Sequence, residues 1–474
     1  MKFSLMLGAF FVTSTASFAQ NMLGISTSRQ GGTNRLYINP ALAADAQNRV
    51  YLNGFVANLH VDNNYVRYQA PFSLLGLITG TVPDQYRRPD GSVRFESDYT
   101  SENLDGRRKN GTLWGEVRGP SLLVKTNEGS AFAVTTRFRA IGQVTGASQS
   151  LLSAIRAGLE DGALYGIPSS DNQFSVNTST YSEVGLTYAG TLLEADGRRL
   201  LLGATAKVLL GYNAQSLINR GLDYRVIADP DQPNSAILEV NRLDATLSYT
   251  TFLQNRTLTP STLLSPSSPG RGFGLDLGLT YISQYDTDSP AWQIGLALTD
   301  IGSIRYKGEQ YDYSSVQQQP VQFRSSDFNN TAGTLQIARI IQDKFNTGRS
   351  PDQNQFRTGL PTSLNLTWDY QSPRGAGLNI TYFQDVRSAG AQSVHQPSLL
   401  AITPRYDTRL VSVALPVLYL NRGLMAGASL RVGPAWLGTD NFLGLVGNGS
   451  NGIRPRGLDV YGGVAFGIGR TDED

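Results

Sequence analysis

Two histidines, His60 and His395, are all the imidazole this 474-residue chain offers, and no cysteine accompanies them. A Ser-His-Asp site needs a nucleophile presented on a strained turn beside its base, and no such motif stands near either histidine. A multi-histidine zinc centre lacks ligands, and without cysteine there is no thiol nucleophile, iron–sulfur cluster or disulfide framework. The reading is therefore a non-enzyme with no catalytic residue, metal or cofactor. Gly272, Gly274 and Gly278 alternate inside a strand pattern and do not open a helix, so they are not a dinucleotide fingerprint. The chemistry that remains lies in charges set at period two among small residues: Arg137, Arg139, Lys207, Asp244, Asp276, Asp369 and Arg431. They are expected to face a common lumen, as an ion-paired network that fills it or as a selective lining.

The elements that carry these charges alternate at period two, which puts successive side chains on opposite faces of a strand. Phe273, Leu275, Leu277, Leu279 and Tyr281 oppose Gly272, Gly274, Asp276, Gly278 and Thr280. The same grammar recurs at Leu364 to Tyr370, Leu243 to Tyr249, Leu424 to Val432 and Leu458 to Ile468. In a soluble sandwich the polar face meets water and carries Lys and Glu; here it carries Gly, Ser, Asn and Thr. The chain has 50 Gly, 22 Tyr and 19 Phe against 16% charged residues, which favours a crowded interior and an apolar exterior. The expectation is an all-β transmembrane antiparallel barrel of about 14 strands. Every amide in hydrocarbon must be paired, so a spanning sheet has to close. No segment is long and apolar enough for a spanning helix, and a formal charge of +2 offers no surface for nucleic acid.

Short turns at Asn127 to Gly129, Ala195 to Gly197, Asp286 to Pro290, Ser372 to Gly375 and Asn421 to Gly423 are expected on the periplasmic side. Gln143 to Thr180, Phe252 to Arg271, Lys307 to Gly359 and Arg387 to Ala401 are expected as long outer loops. Helical periodicity over Ser148 to Leu164 and Thr334 to Phe345 puts short helices in two of them. Tyr281, Tyr285, Trp292, Trp368, Tyr370, Tyr212 and Trp436 are expected in interfacial girdles. Lys2, the apolar run Phe3 to Val12 and Ser17-Phe18-Ala19 have the form of an export signal. The expected organisation is a signal peptide at 1–19, a plug at 20–48, a barrel at 49–470 and an acidic tail at 471–474, with the barrel in a Gram-negative outer membrane.

Before the first strand, Asn39 is a good N-cap and Pro40 stands at the first position of a short Ala-rich helix. At this place the Asn39-Pro40-Ala41 triplet resembles the N-terminal hatch of the FadL/TodX family of outer-membrane transporters for hydrophobic compounds. The hairpin of Gly272 to Tyr281 with Ile294 to Tyr306 is similar to that of PorV-like and PorP/SprF-like barrels of Bacteroidota. Gly433 to Asn441 is similar to a segment near the C-terminus of an uncharacterised Bacteroidota barrel family. The first resemblance implies passive transport of hydrophobic or amphipathic small molecules, with Asn39, Pro40 and Ala41 as the plug. The second implies a scaffold, a partner of envelope proteins in a secretion or gliding machine. Either way the expected surroundings are outer-membrane lipid, with a hydrophobic ligand in the first case and protein partners in the second.

Overall fold

The computed structural model describes residues 21–126, 129–157, 159, 161–232, 235–252, 268–284, 289–328, 334–346 and 350–470. The expected signal peptide and acidic tail lie outside the described residues, as do Tyr285, Asn127 and Glu128. A closed antiparallel barrel of 14 strands is observed. In chain order they are β1 (Asn48–Asn63), β2 (Lys109–Arg118 with Ser121–Lys125), β3 (Ala131–Ala147), β4 (Ser169–Ala195) and β5 (Arg198–Ala228). Then come β6 (Ala236–Tyr249 with Gly270–Ser283), β7 (Ala291–Arg324), β8 (Gln353–Gly359 with Ser363–Gln371), β9 (Ala376–Asp385) and β10 (Leu399–Asp407). The last are β11 (Val411–Ala414 with Val417–Leu420), β12 (Gly423–Ala426 with Ala428–Val432), β13 (Ala435–Thr439) and β14 (Gly457–Arg470). Pairing of β1 with β14, from Asn48 opposite Arg470 to Asp62 opposite Gly457, closes the wall.

Proline explains three of the divided strands, because it has no N–H for the ladder: β2 breaks at Gly119-Pro120, β8 at Leu360-Pro361 and β11 at Leu415-Pro416. Strand β6 divides differently. Tyr249 pairs with Gln215 and Gly270 with Gly211, so the chain leaves the wall and rejoins it almost in line.

Short connections gather at one end, with the tight turn at Asp196 and Gly197 as the type, and by barrel grammar that end is periplasmic. Asn421 is a correction. Leu420 pairs with Leu399 at the start of β10, so this short turn lies at the opposite, outer end, where the Asn421 amide donates to Asp62 at 2.7 Å. Turn chemistry marks a reversal without saying on which side of the membrane it falls.

The two faces fall as expected in the spanning part. Phe273, Leu275, Leu277 and Leu279 are exposed to lipid while Asp276 and Thr280 are buried in the lumen. Tyr281 against Trp292 (5.3 Å between ring centres) and Phe132 against Tyr188 (5.1 Å) stand at the periplasmic boundary beside Trp368 and Tyr370. Tyr212 and Trp436 do not join them; both are buried, and the Tyr212 hydroxyl donates to Ser182.

Strands β5 and β7 run 31 and 34 residues, which at about 3.3 Å per residue far exceeds an apolar band of about 25 Å. With β4 and the first half of β6 they rise above the membrane as a four-strand extension. Much of Lys307 to Gly359, expected as loop, is thus the upper part of β7. One face of the extension buries Leu222, Tyr224, Leu243, Leu247 and Tyr249 in a cluster with residues of two helices, α3 (Gln149–Arg156) and α4 (Thr334–Asn346). Above the membrane the apolar face needs a protein cover, and these amphipathic helices supply it. Burial raises the Tyr249 hydroxyl pKa, and the Glu309 carboxylate that accepts from it at 2.6 Å raises it further.

Candidate functional site

Residues 22–46 lie inside the barrel as a plug made of α1 (Leu23–Ser26) and two 3-10 turns, Arg29–Tyr37 and Pro40–Ala43. Asn39 does two jobs. Its carbonyl oxygen accepts from Ala41 N at 3.0 Å and caps the second turn, while its amide donates to Leu279 O (3.1 Å) and Thr280 Oγ1 (3.0 Å) on β6. The wall is hollowed to receive it. A Cβ on Gly278 would stand 2.0 Å from Asn39 Oδ1, and one on Gly203 would stand 2.5 Å from Ala41 N. With asparagine at residue 39, nothing larger than glycine leaves room for this approach.

The plug is tied at further points round the barrel. Leu23 N donates to Asp440 (3.0 Å), Gly24 N to the Tyr461 hydroxyl (3.1 Å), Ser28 Oγ to Asp407 (2.8 Å), and Asn365 Nδ2 to Ile38 O (2.9 Å). At the exit from the plug, Asp45 takes Arg35 at 3.2 Å and Gln293 at 2.9 Å, with Arg199 at 3.5 Å. Burial pushes the Asp45 carboxyl up, but Arg35, Arg29 and Arg199 outweigh it and hold the group below its ordinary value. A carboxyl whose pKa falls on folding contributes stability that is complete above its unfolded value of about 4 and lost as pH drops through the folded one. Protease accessibility of the plug is therefore expected to be constant from neutral pH down to about 4 and to rise below it. Asp45→Asn should raise it at neutral pH.

Above the plug the lumen is closed by charge. Arg137 meets Glu183 (2.7 Å), Glu116 (3.3 Å) and Asp300 (3.4 Å); Arg139 meets Asp300 (2.7 Å) and Glu116 (3.2 Å). Lys207 lies between Asp276 (2.7 Å) and Asp300 (2.6 Å), and Arg118 holds Glu116 at 2.6 Å. All these groups are buried, and their cations and carboxylates match in number, so the cluster is internally neutral. The Tyr37 ring of the plug lies under Arg118 (4.1 Å) and Arg137 (4.3 Å), joining plug to cluster by cation–π contact. A void of about 30 Å³ beside it has room for little more than water. Tyr37→Leu is expected to lower unfolding stability by about 1 to 2 kcal/mol, measured by urea titration of the folded barrel, whereas Tyr37→Trp should retain most of it.

Of the seven charges singled out in the sequence, Arg137, Arg139, Lys207 and Asp276 meet in this cluster. Asp369 lies nearer the periplasmic end, bidentate with Arg405 (2.6 and 2.8 Å), whose other partner Asp407 holds the plug's Ser28. Arg431 is at the periplasmic rim, on Ser412 and backbone carbonyls. Asp244 is the correction: it is partly exposed on the extension, paired with Arg220 at 2.7 Å, away from the lumenal cluster. Its strand alternates like a spanning one, and only the helices packed on the apolar face set it apart. Glu116, Arg118, Glu183 and Asp300 were missed. Register was the missing signal, since Glu116 is opposite Arg139 and Glu183 opposite Arg137 in the ladder.

One stretch of wall is not strand. Strand β13 stops at Thr439, and the chain turns into α5 (Phe442–Val446) before β14 begins. Towards the outer end, the space between β12 and β14 is filled by this helix, which packs on both and on α2 (Leu74–Thr79) and exposes Phe442 and Leu443. A family model matches residues 40–440, from Pro40 on the glycine seat to Asp440 on the plug's first helix. The chain belongs to DUF5723, a family of unknown function. A search of curated proteins finds no match to this DUF5723 chain. Among solved structures it is similar to the TodX deltaS2S3 mutant monoaromatic hydrocarbon channel, at 10% identity over 92% of this chain and 95% of that one, TM-score 0.33. It is also similar to a Pseudomonas aeruginosa FadL homologue (9% identity, 96% and 98% covered, TM-score 0.22). A third is the outer membrane protease OmpT from Escherichia coli (8% identity, 88% and 95% covered, TM-score 0.18).

Proposed function

We propose that this barrel is a passive conduit for hydrophobic or amphipathic small molecules across the outer membrane, closed at rest by its plug. The observation that carries the reading is the α5 segment of the wall. In hydrocarbon an open strand edge is costly, so a five-residue helix in place of a ladder is the weakest part of the enclosure. Phe442 and Leu443 give it a face that an apolar solute can cross. Inward from it, Asp440 holds Leu23 N of the plug, which couples displacement of α5 to the plug. The ion-paired lumen disfavours an open aqueous pore.

Uptake of a fluorescent hydrophobic probe into proteoliposomes tests this. Phe442→Ser with Leu443→Ser should slow probe uptake severalfold and leave the heat-modifiable mobility of the folded barrel unchanged. Sugar-driven swelling at the rate of an open porin, with no probe uptake, would contradict the reading. A second reading, docking of envelope proteins, draws on the four-strand extension with α3 and α4, more structure than a pore needs. Its test is deletion of α4, which should abolish partner retention without changing probe uptake.

A further inference from the structure

A cavity of about 280 Å³ opens at the periplasmic rim, where the plug, the start of β1, the β10–β11 connection and the β12–β13 turn meet. Its lining mixes two worlds. Gln30, Tyr51, Arg431 and Trp436 are lumenal, while Leu410 and Phe466 are exposed on the lipid side, at 67% and 50%.

Arg431 is the unusual group. Its Nε donates to Ser412 Oγ (3.1 Å), Nη1 to Gly433 O (2.8 Å), and Nη2 to Thr408 O (2.7 Å) and Arg409 O (3.1 Å). Every one of these acceptors is neutral. Arg137, Arg139 and Arg405 each rest on carboxylates, but Arg431 has none bonded to it among the described residues. Arg431 is only 9% exposed, and the one carboxylate among the described residues that acts on it, Asp407, is already engaged by Arg405 and Ser28, so the cation is left with charge to spare for an anion in the cavity it lines. The indole N–H of Trp436, in the same lining, is buried without an acceptor among the described residues. Four backbone and hydroxyl oxygens hold the Arg431 fork in place, which fixes the cation before any ligand arrives.

We propose that this cavity is a head-group site for an anionic phospholipid of the inner leaflet. The phosphodiester faces Arg431, and the acyl chains lie outside against Leu410 and Phe466. The volume is near the lower limit of about 300 Å³ for ligand pockets, enough for a glycerophosphate head and too small for the chains. A soluble phosphate ester shares the head-group chemistry, but it has no use for the apolar shoulder at the membrane boundary. The site goes beyond the transport reading and does not rest on it, since a bound lipid fastens plug and wall whether or not a solute passes.

Native mass spectrometry of the full chain, titrated with phosphatidylglycerol in a neutral detergent, tests the proposal. The expected result is one phospholipid retained per chain, with affinity lowered about tenfold or more in Arg431→Gln and nearly kept in Arg431→Lys. Gln30→Trp fills the cavity from the plug side without touching the cation, and it should abolish retention. If Arg431→Gln does not fold, the Gln30→Trp result decides. Equal retention in wild type and Gln30→Trp, or no discrete phospholipid on wild type, overturns the site. Glycerol phosphate binding as tightly as the lipid overturns the lipid source and leaves a soluble phosphate ester as ligand. Probe uptake by the same variants reads the conduit separately.

Discussion

Gly278→Val is expected to unseat the plug from the wall of the barrel. The new Cβ would overlap Asn39 Oδ1 at 2.0 Å and crowd Pro40 Cδ at 2.8 Å, and the wall strand that carries it is paired on both sides. The plug is the part that can yield, because hydrogen bonds and packing alone hold it at this point. Overpacking of this kind costs about 1 to 3 kcal/mol, and loss of the Asn39 cap adds about 1 kcal/mol. Together these exceed what a segment of short 3-10 turns can absorb locally. Limited proteolysis of the folded barrel at neutral pH should cut the plug of the variant where the parent resists. Asn39→Ala, which loses the bonds and adds no bulk, should give a smaller effect.

Asp300→Asn is expected to be the most destabilising single change in the lumen. Asp300 receives Lys207, Arg139 and Arg137 at 2.6, 2.7 and 3.4 Å, so its neutralisation leaves buried cations short of one carboxylate. Removing one partner from such a buried network costs roughly 3 to 5 kcal/mol. Asparagine tolerates the left-handed backbone at this position (φ 54°), so the loss is electrostatic and not conformational. Urea unfolding in lipid vesicles should show the drop, and Asp300→Asn with Lys207→Met should recover part of it by restoring equal numbers of cations and carboxylates. Equal stability of the single variant and the parent would mean that the cluster is hydrated and screened.

The class of fold was legible because alternation in a lipid-facing strand is imposed by the solvent on each face, as Phe273 to Tyr281 illustrate. Asn39 and Pro40 were legible as a cap for the same local reason. What they cap against was not: the seat is made by Gly203 and Gly278, remote in sequence, and a glycine in a strand gives no sign of which backbone approaches it. The charged lumen was half visible. Arg137 and Arg139 stand out among small neighbours, but their partners Glu183 and Asp300 become partners only through register. Asp244 misled because period two records that two environments differ, and not whether the apolar one is lipid or helix. The α5 wall segment was invisible for a related reason, since a strand that stops after five residues reads as a short strand and not as a gap.

The most direct test of the central claim is a reversible lock on the plug. A Cβ on residue 278 stands 3.0 Å from Asn39 Cγ, about the separation of a Cβ from the far sulfur across a disulfide. The chain has no cysteine of its own, so Asn39→Cys with Gly278→Cys introduces a single possible bridge. If plug movement opens the path, the oxidised form should take up no hydrophobic probe, and reduction should restore uptake in the same vesicles. Uptake that is the same oxidised and reduced would contradict the account, because a solute would then cross this barrel with its plug held in place.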